Sequence, residues 1–209
     1  MDIAKYIDYT LLKATATPAN IEKLCKEALE YGFYSVCVNS GYVPLAAEQL
    51  KGSKVKVCTV VGFPLGAMST QAKLYETSVA LSQGAQEIDM VLNVGLFLSG
   101  NVAKVLDEIA LLKQETGDRV LKVIIETCYL NDEQKRLASQ VCVDAGADFV
   151  KTSTGFGTGG ATLADVQLIR EIVGDRAKIK ASGGIRDKQT ALQYISLGVD
   201  RIGASAILV

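Results

Sequence analysis

The sequence contains no histidine. That excludes imidazole general bases, imidazole metal ligands and Ser-His-Asp triads. Any acid–base chemistry must use Asp, Glu, Lys, Tyr, Cys or water. The five cysteines (Cys25, Cys37, Cys58, Cys128 and Cys142) form no C-x-x-C pair and are odd in number. Reduced thiols in a cytoplasmic protein are the expectation. The opening MDIAKYIDYT has no apolar signal core. The least polar stretch, Cys58 to Met68, is too short to span a bilayer and is broken by Gly and Pro. The 22 basic and 23 acidic residues form no block of one sign, so neither nucleic acid nor a membrane surface is an expected partner.

What is present is alternation. The 209 residues, 49% of them apolar, suffice for one sizeable core, and one domain spanning 1–209 is expected. Thr17-Pro18 opens a helix, with Ile21, Leu24, Cys25, Ala28 and Leu29 as its apolar stripe and Gly32 as its end. Gly32-Phe33, Gly84-Ala85, Gly146-Ala147 and Gly198-Val199 each close a helix and open a strand. Gly52-Ser53-Lys54, Gly117-Asp118-Arg119 and Gly174-Asp175-Arg176 form an interleaved second series. A two-strand unit therefore repeats. Eight strands are expected, near 6–11, 34–39, 55–61, 86–92, 120–126, 148–152, 177–182 and 200–203. They are mostly apolar, as strands covered by helices should be. Alternating strands and helices imply parallel right-handed crossovers. No G-x-G-x-x-G turn follows the first strand, which favours a closed α/β barrel, a (β/α)8 TIM barrel, over an open sheet. The chain stops at Ile207-Leu208-Val209, so the helix after strand 8 is expected to be missing or truncated.

Barrel enzymes carry their sites at the C-terminal strand ends, and charges inside those strands are informative because burying an unpaired charge is costly. Asp89 lies in mid-strand and reads equally as a site residue or a structural ion pair. Glu87, at the N-terminal end of the same strand, is expected to be solvated, as is Lys178. Lys151 and Lys180 close strands 6 and 7. Lys122 and Glu126 share strand parity and are expected to form a supporting charge network. Neighbouring strands lie ~4.8 Å apart, so Lys151 and Lys180 should be close together. A nucleophilic lysine must be neutral, and a second ammonium beside it favours that. Three glycine turns, Gly155 to Gly160, Ser182 to Arg186 and Gly203 to Ser205, follow strands 6, 7 and 8. Such turns admit close approach of backbone N–H groups to an anion, and phosphate binding is expected there.

At these residues the sequence resembles the deoxyribose-phosphate aldolase family over essentially its whole length. The resemblance is carried by Ile7 to Leu12, Val36 to Asn39, Gly62-Phe63-Pro64-Leu65-Gly66, Glu87 to Val91, Leu121 to Thr127, Val150 to Phe156 and Lys180 to Arg186. It implies class I aldol chemistry, with 2-deoxy-D-ribose 5-phosphate cleaved reversibly to D-glyceraldehyde 3-phosphate and acetaldehyde, and no metal or organic cofactor. It implies Lys151 as the Schiff-base lysine, Lys180 as the second lysine and Asp89 as the proton-relay aspartate. It further implies Asp8, Thr10, Cys37 and Thr154 near the substrate and Gly155, Gly183, Gly184, Gly203 and Ser205 at the phosphate. Tyr9 stands where the family usually has His, which could alter the mouth, and Ala206 where a second serine is common. Two rival readings remain open, a phosphosugar isomerase without a covalent intermediate and a non-catalytic phosphate-ligand binding protein. A homo-oligomer is also left open.

Overall fold

The computed structural model describes residues 2–206. Eight parallel strands pair in chain order and close, β1 with β8, into a barrel. They are β1 (Ile7–Leu11), β2 (Ser35–Val38), β3 (Lys56–Val61), β4 (Glu87–Val91), β5 (Val120–Ile124), β6 (Phe149–Lys151), β7 (Lys178–Ser182) and β8 (Arg201–Ala204). The helices are α1 (Pro18–Tyr31), α2 (Val43–Gln49), α3 (Thr70–Ser82), α4 (Val94–Leu98), α5 (Val102–Thr116), α6 (Asp132–Asp144), α7 (Leu163–Val173) and α8 (Lys188–Ser196). α4 is an extra short helix ahead of α5. Each of β1 to β7 is thus followed by a covering helix, and none follows β8 among the described residues. The expectation about the chain's end falls on 207–209, outside them. No described helix is long and apolar enough to cross a membrane.

Local chemistry sets the boundaries. Thr17 and Asn20 form a reciprocal capping box at the start of α1, and Pro18 occupies its first turn. Ser69, Asn93, Asn131, Thr162 and Asp187 cap five further helices, each accepting a backbone N–H. Gly32 ends α1 with φ 66°, and Gly84, Gly146 and Gly198 also have positive φ, a region that side chains disfavour. Ile21, Leu24, Cys25 and Ala28 are buried, but Leu29 is 45% exposed. Its position is rotated to the flank of the stripe, where no neighbour covers it.

Most of the apolar core lies between the strands and the helices. Inside the barrel a smaller cluster of Leu12, Cys37, Cys58 and Val60 packs beneath Phe63. Much of the rest of the interior is charged, with Ser35 and Phe149 among the charges. Outside it, Lys73 on α3 is fully buried, donating to the Val91 carbonyl at 2.9 Å and to Glu108 of α5 at 2.5 Å. That pair ties two helices to the C-terminal end of β4, next to the barrel mouth.

Candidate active site

Strand register stacks the charges in levels. Asp89 is opposite Lys122, whereas Lys151 is opposite Ile124 and Lys180 is opposite Lys151. Lys122 therefore sits one side-chain level below the two lysines at the mouth. Asp89 joins the levels. Its Oδ1 accepts from Lys122 Nζ at 2.9 Å, and its Oδ2 accepts from both Lys151 and Lys180 at 2.8 Å.

Below this, Lys122 reaches Glu87 at 2.6 Å and Asp8 at 3.9 Å. Asp8 lies 2.5 Å from Lys180, accepts from Arg201 at 2.8 Å and accepts the Ser35 hydroxyl at 2.7 Å. Arg201 also donates to both Glu87 oxygens at 3.2 Å. Its guanidinium lies over the Tyr34 ring, 3.1 Å from the centroid.

Two expectations are corrected here. Glu87 is 2% exposed, not solvated. Arg201 stacked on Tyr34 seals the bottom of the barrel, so the N-terminal end of β4 opens inward onto partners rather than onto water. Lys122 and Glu126 do not form a pair. β5 ends at Ile124, so strand parity no longer applies, and Glu126 takes φ 53° and turns to Thr154. Lys178 is exposed, as expected.

The surroundings fix the protonation of the buried groups. Burial works to raise the Asp89 carboxyl, but Lys122, Lys151 and Lys180 outweigh it and hold Asp89 well below the usual carboxylate range. Burial would lower Lys180, yet Asp8 and Asp89 hold it above the usual lysine range. Lys122 is held high in the same way, chiefly by Asp89 against burial. At rest Asp89 is thus an anion and Lys180 a cation.

Above the network lies a cavity of about 300 Å³. Lys151, Thr10, Thr154, Gly155, Gly183, Gly184, Gly203 and Ser205 line it. Asp8, Asp89, Lys180 and Cys37 do not; all four are fully buried. Cys37 lies beside the network, its thiol clustered with Cys58 and Asp89 within 4.8 Å. Gly203 has a packing reason, since a Cβ there would come 2.8 Å from Ser182 Cβ and 3.3 Å from Lys180 Cε. A side chain at this position would press on Ser182 and crowd the Lys180 stem that reaches Asp89. Gly183 has φ 86°, and a Cβ would meet Gly160 Cα at 2.9 Å, so the turns after β6 and β7 can approach this closely only with glycine at Gly183.

Sequence reasoning did not single out the two cations that line the cavity, Lys13 and Arg186, although Arg186 closes one of the glycine turns expected at the phosphate. A cation two residues after β1, and another directly following Gly183-Gly184-Ile185, were the available signals. Tyr9 does not line this cavity; with Thr10, Lys13 and Ser205 it lines a neighbouring one against α1. It faces α1, where its hydroxyl donates to Glu27 at 2.8 Å and its ring packs 5.1 Å from that of Phe33. Alternation along β1 puts Asp8 and Thr10 inside and Tyr9 outside.

A family model described as DeoC/LacD family aldolase matches residues 3–207. A relative from Coprothermobacter proteolyticus named deoxyribose-phosphate aldolase is 57% identical over 206 residues, covering 99% of this chain and 94% of its own. Among solved structures, one described as "QR15, an Aldolase" shares 46% identity at TM-score 0.95, over 98% of this chain and 92% of its own. A deoxyribose phosphate aldolase from Aeropyrum pernix, described as tetrameric, shares 35% identity at TM-score 0.88, over 97% and 86%.

Proposed function

The chain belongs to the DeoC/LacD family of aldolases, and on that premise we propose that it reversibly cleaves 2-deoxy-D-ribose 5-phosphate into D-glyceraldehyde 3-phosphate and acetaldehyde through an imine on Lys151. The observation that carries this reading is the single Asp89 oxygen lying 2.8 Å from both Lys151 and Lys180.

Charge balance supports the choice of lysine. The cations Lys122, Lys151, Lys180 and Arg201 face only the carboxylates Asp8, Glu87 and Asp89. Loss of one proton brings this buried cluster to neutrality, which low dielectric favours. Lys180 bridges two carboxylates and Lys122 three, whereas Lys151 touches Asp89 alone. Asp89 keeps Lys122 and Lys180 when Lys151 is neutral. Lys151 is also the one of these lysines that lines the cavity.

Neutral Lys151 attacks the C1 aldehyde of the open-chain sugar. Water leaves and a protonated imine remains, its positive nitrogen replacing the ammonium opposite Asp89 Oδ2. The C3 hydroxyl proton passes towards Asp89, with water in the pocket as carrier. The C2–C3 bond breaks, its electrons flow into the imine, and glyceraldehyde 3-phosphate leaves. Protonation of the enamine at carbon, followed by hydrolysis, releases acetaldehyde and restores the amine. Lys180, a cation at rest, stabilises anionic character near Asp89 and lends and recovers a proton. Thr10 and Thr154 contact the sugar, with Asp8 and Cys37 supporting from beneath. Gly155, Gly183, Gly184, Gly203 and Ser205 receive the phosphate, with Lys13 and Arg186 adding positive charge at the rim. Every step written here uses groups of the chain, the substrate and water.

The five free cysteines support a cytoplasmic setting. A homo-oligomer is the assembly we propose, supported by the tetrameric Aeropyrum pernix relative. Borohydride reduction with acetaldehyde, followed by peptide mapping, tests the chemistry. An adduct on Lys151 is expected. An isomerase or a binding protein would yield no adduct on any lysine, and that result would remove the reading.

A further inference from the structure

Among the described residues, Glu126 is the sole non-glycine residue with positive φ, at 53°. Side-chain-bearing residues seldom adopt that conformation, and when they do the surroundings enforce it. Here the enforcing contact is Thr154. The Thr154 N–H is shared between the two Glu126 oxygens at 3.2 and 3.3 Å, and the Thr154 hydroxyl donates to Oε2 in a short hydrogen bond. The Thr154 oxygen in turn accepts the Phe156 N–H at 3.0 Å.

A hydroxyl has one proton and two lone pairs. The Thr154 proton is committed to Glu126 and one lone pair to Phe156. Towards the cavity, which it lines between Lys151 and Gly155, Thr154 can therefore accept but not donate. Thr154 is 8% exposed, so a lone pair left unmatched by a bound ligand there would also be cut off from water.

We propose that Glu126 is a positioning residue that makes Thr154 an acceptor only, so that the pocket selects phosphorylated aldehydes bearing a hydroxyl on the carbon beside the reacting carbonyl. The inference rests on the aldolase reading above. With the imine held at Lys151 and the phosphate in the glycine turns, Thr154 meets the middle of the substrate. A hydroxyl there donates to the free lone pair. A methylene leaves it unpaired, which is the situation in which a site built for a hydroxyl rejects its analogue strongly.

The test compares two acceptors in condensation with acetaldehyde, D-glyceraldehyde 3-phosphate and 3-oxopropyl phosphate, which lacks the 2-hydroxyl. The unaltered protein should favour the first in kcat/KM by about tenfold or more. Thr154→Val and Glu126→Ala should bring the ratio close to one, whereas Thr154→Ser should preserve it. A purely structural role for Glu126 would lower both rates together and leave the ratio unchanged. That result in a folded Glu126→Ala protein, or a ratio near one in the unaltered protein, overturns the proposal. Borohydride trapping of acetaldehyde on Lys151, run in parallel, separates the two readings. An adduct with an unchanged ratio defeats this inference alone, whereas no adduct in the unaltered protein defeats the aldolase reading beneath it.

Discussion

Lys151 and Lys180 are held by the same oxygen of Asp89, each at 2.8 Å. Two ammonium groups on one carboxylate oxygen repel each other, and only Lys180 has a second carboxylate, Asp8, within 2.5 Å. The two lysines therefore differ in electrostatic setting although they are register partners on adjacent strands.

Lys151→Leu should abolish both the borohydride adduct and activity. Lys180→Leu should act differently, because Lys180 supplies a fixed charge. Without it Asp89 Oδ2 pairs with Lys151 alone, which favours the ammonium over the amine that must attack the aldehyde. The variant should lose most activity at neutral pH and regain trappable adduct as the pH is raised. Each unit of displacement in the pH profile corresponds to about 1.4 kcal/mol. An adduct mapped to Lys180 in the unaltered protein would reverse the assignment.

Asp89→Asn keeps the shape but leaves buried cations unbalanced, at a cost of about 3–5 kcal/mol near neutral pH. The pH dependence follows from the direction of the shift. Asp89 is held well below the usual carboxylate range by Lys122, Lys151 and Lys180 against the effect of burial. The stability it contributes is fully present above the unfolded carboxyl value, roughly pH 4, and is lost as the pH falls below it. Urea unfolding of the two proteins should show the widest gap near pH 7 and a shrinking one in acid. A gap independent of pH would contradict the ionised Asp89.

Glu87→Gln distinguishes a buried ion-pair partner from a solvated strand end. With Lys122 at 2.6 Å and Arg201 at 3.2 Å, the substitution should cost about 2–4 kcal/mol by chemical denaturation. KM should stay nearly constant, since Glu87 does not line the cavity. A loss below about 0.5 kcal/mol would mean that water reaches this carboxylate.

Lys13→Ala and Arg186→Ala should each raise KM for the phosphorylated sugar by roughly three- to tenfold, the size expected for exposed charge interactions. The effect should shrink in high salt. Unphosphorylated deoxyribose should be unaffected. Equal changes for both sugars would show that these cations do not meet the phosphate. They probe the site more cleanly than Gly183, whose φ of 86° makes any side chain there a backbone disturbance as well.

Features governed by neighbours in sequence were legible from the chain. The helix stops at Gly32, Gly146 and Gly198 are written locally, because a left-handed residue needs no distant partner to be recognised. Strand order was legible too, since alternating elements with short connections leave few arrangements. That is why Lys151 and Lys180 could be placed side by side. Glu126 was misread because the parity argument assumed a strand continuing past Ile124, and the pull of Thr154 from the turn after β6 cannot be seen locally.

The sequence by itself determined the barrel, the positions of its strands and the lysine pair, because periodicity, capping and turn chemistry act over a few residues. Only the tertiary structure decided which charges are buried and with whom. Asp8 and Arg201 are separated by almost the whole chain, yet lie 2.8 Å apart because β1 pairs with β8. Closure at that seam seals the bottom of the barrel, buries Glu87 and draws Asp8 under Lys180. Burial and electrostatic partnership depend on every element that surrounds a group, and barrel closure brings the first and last strands together around these.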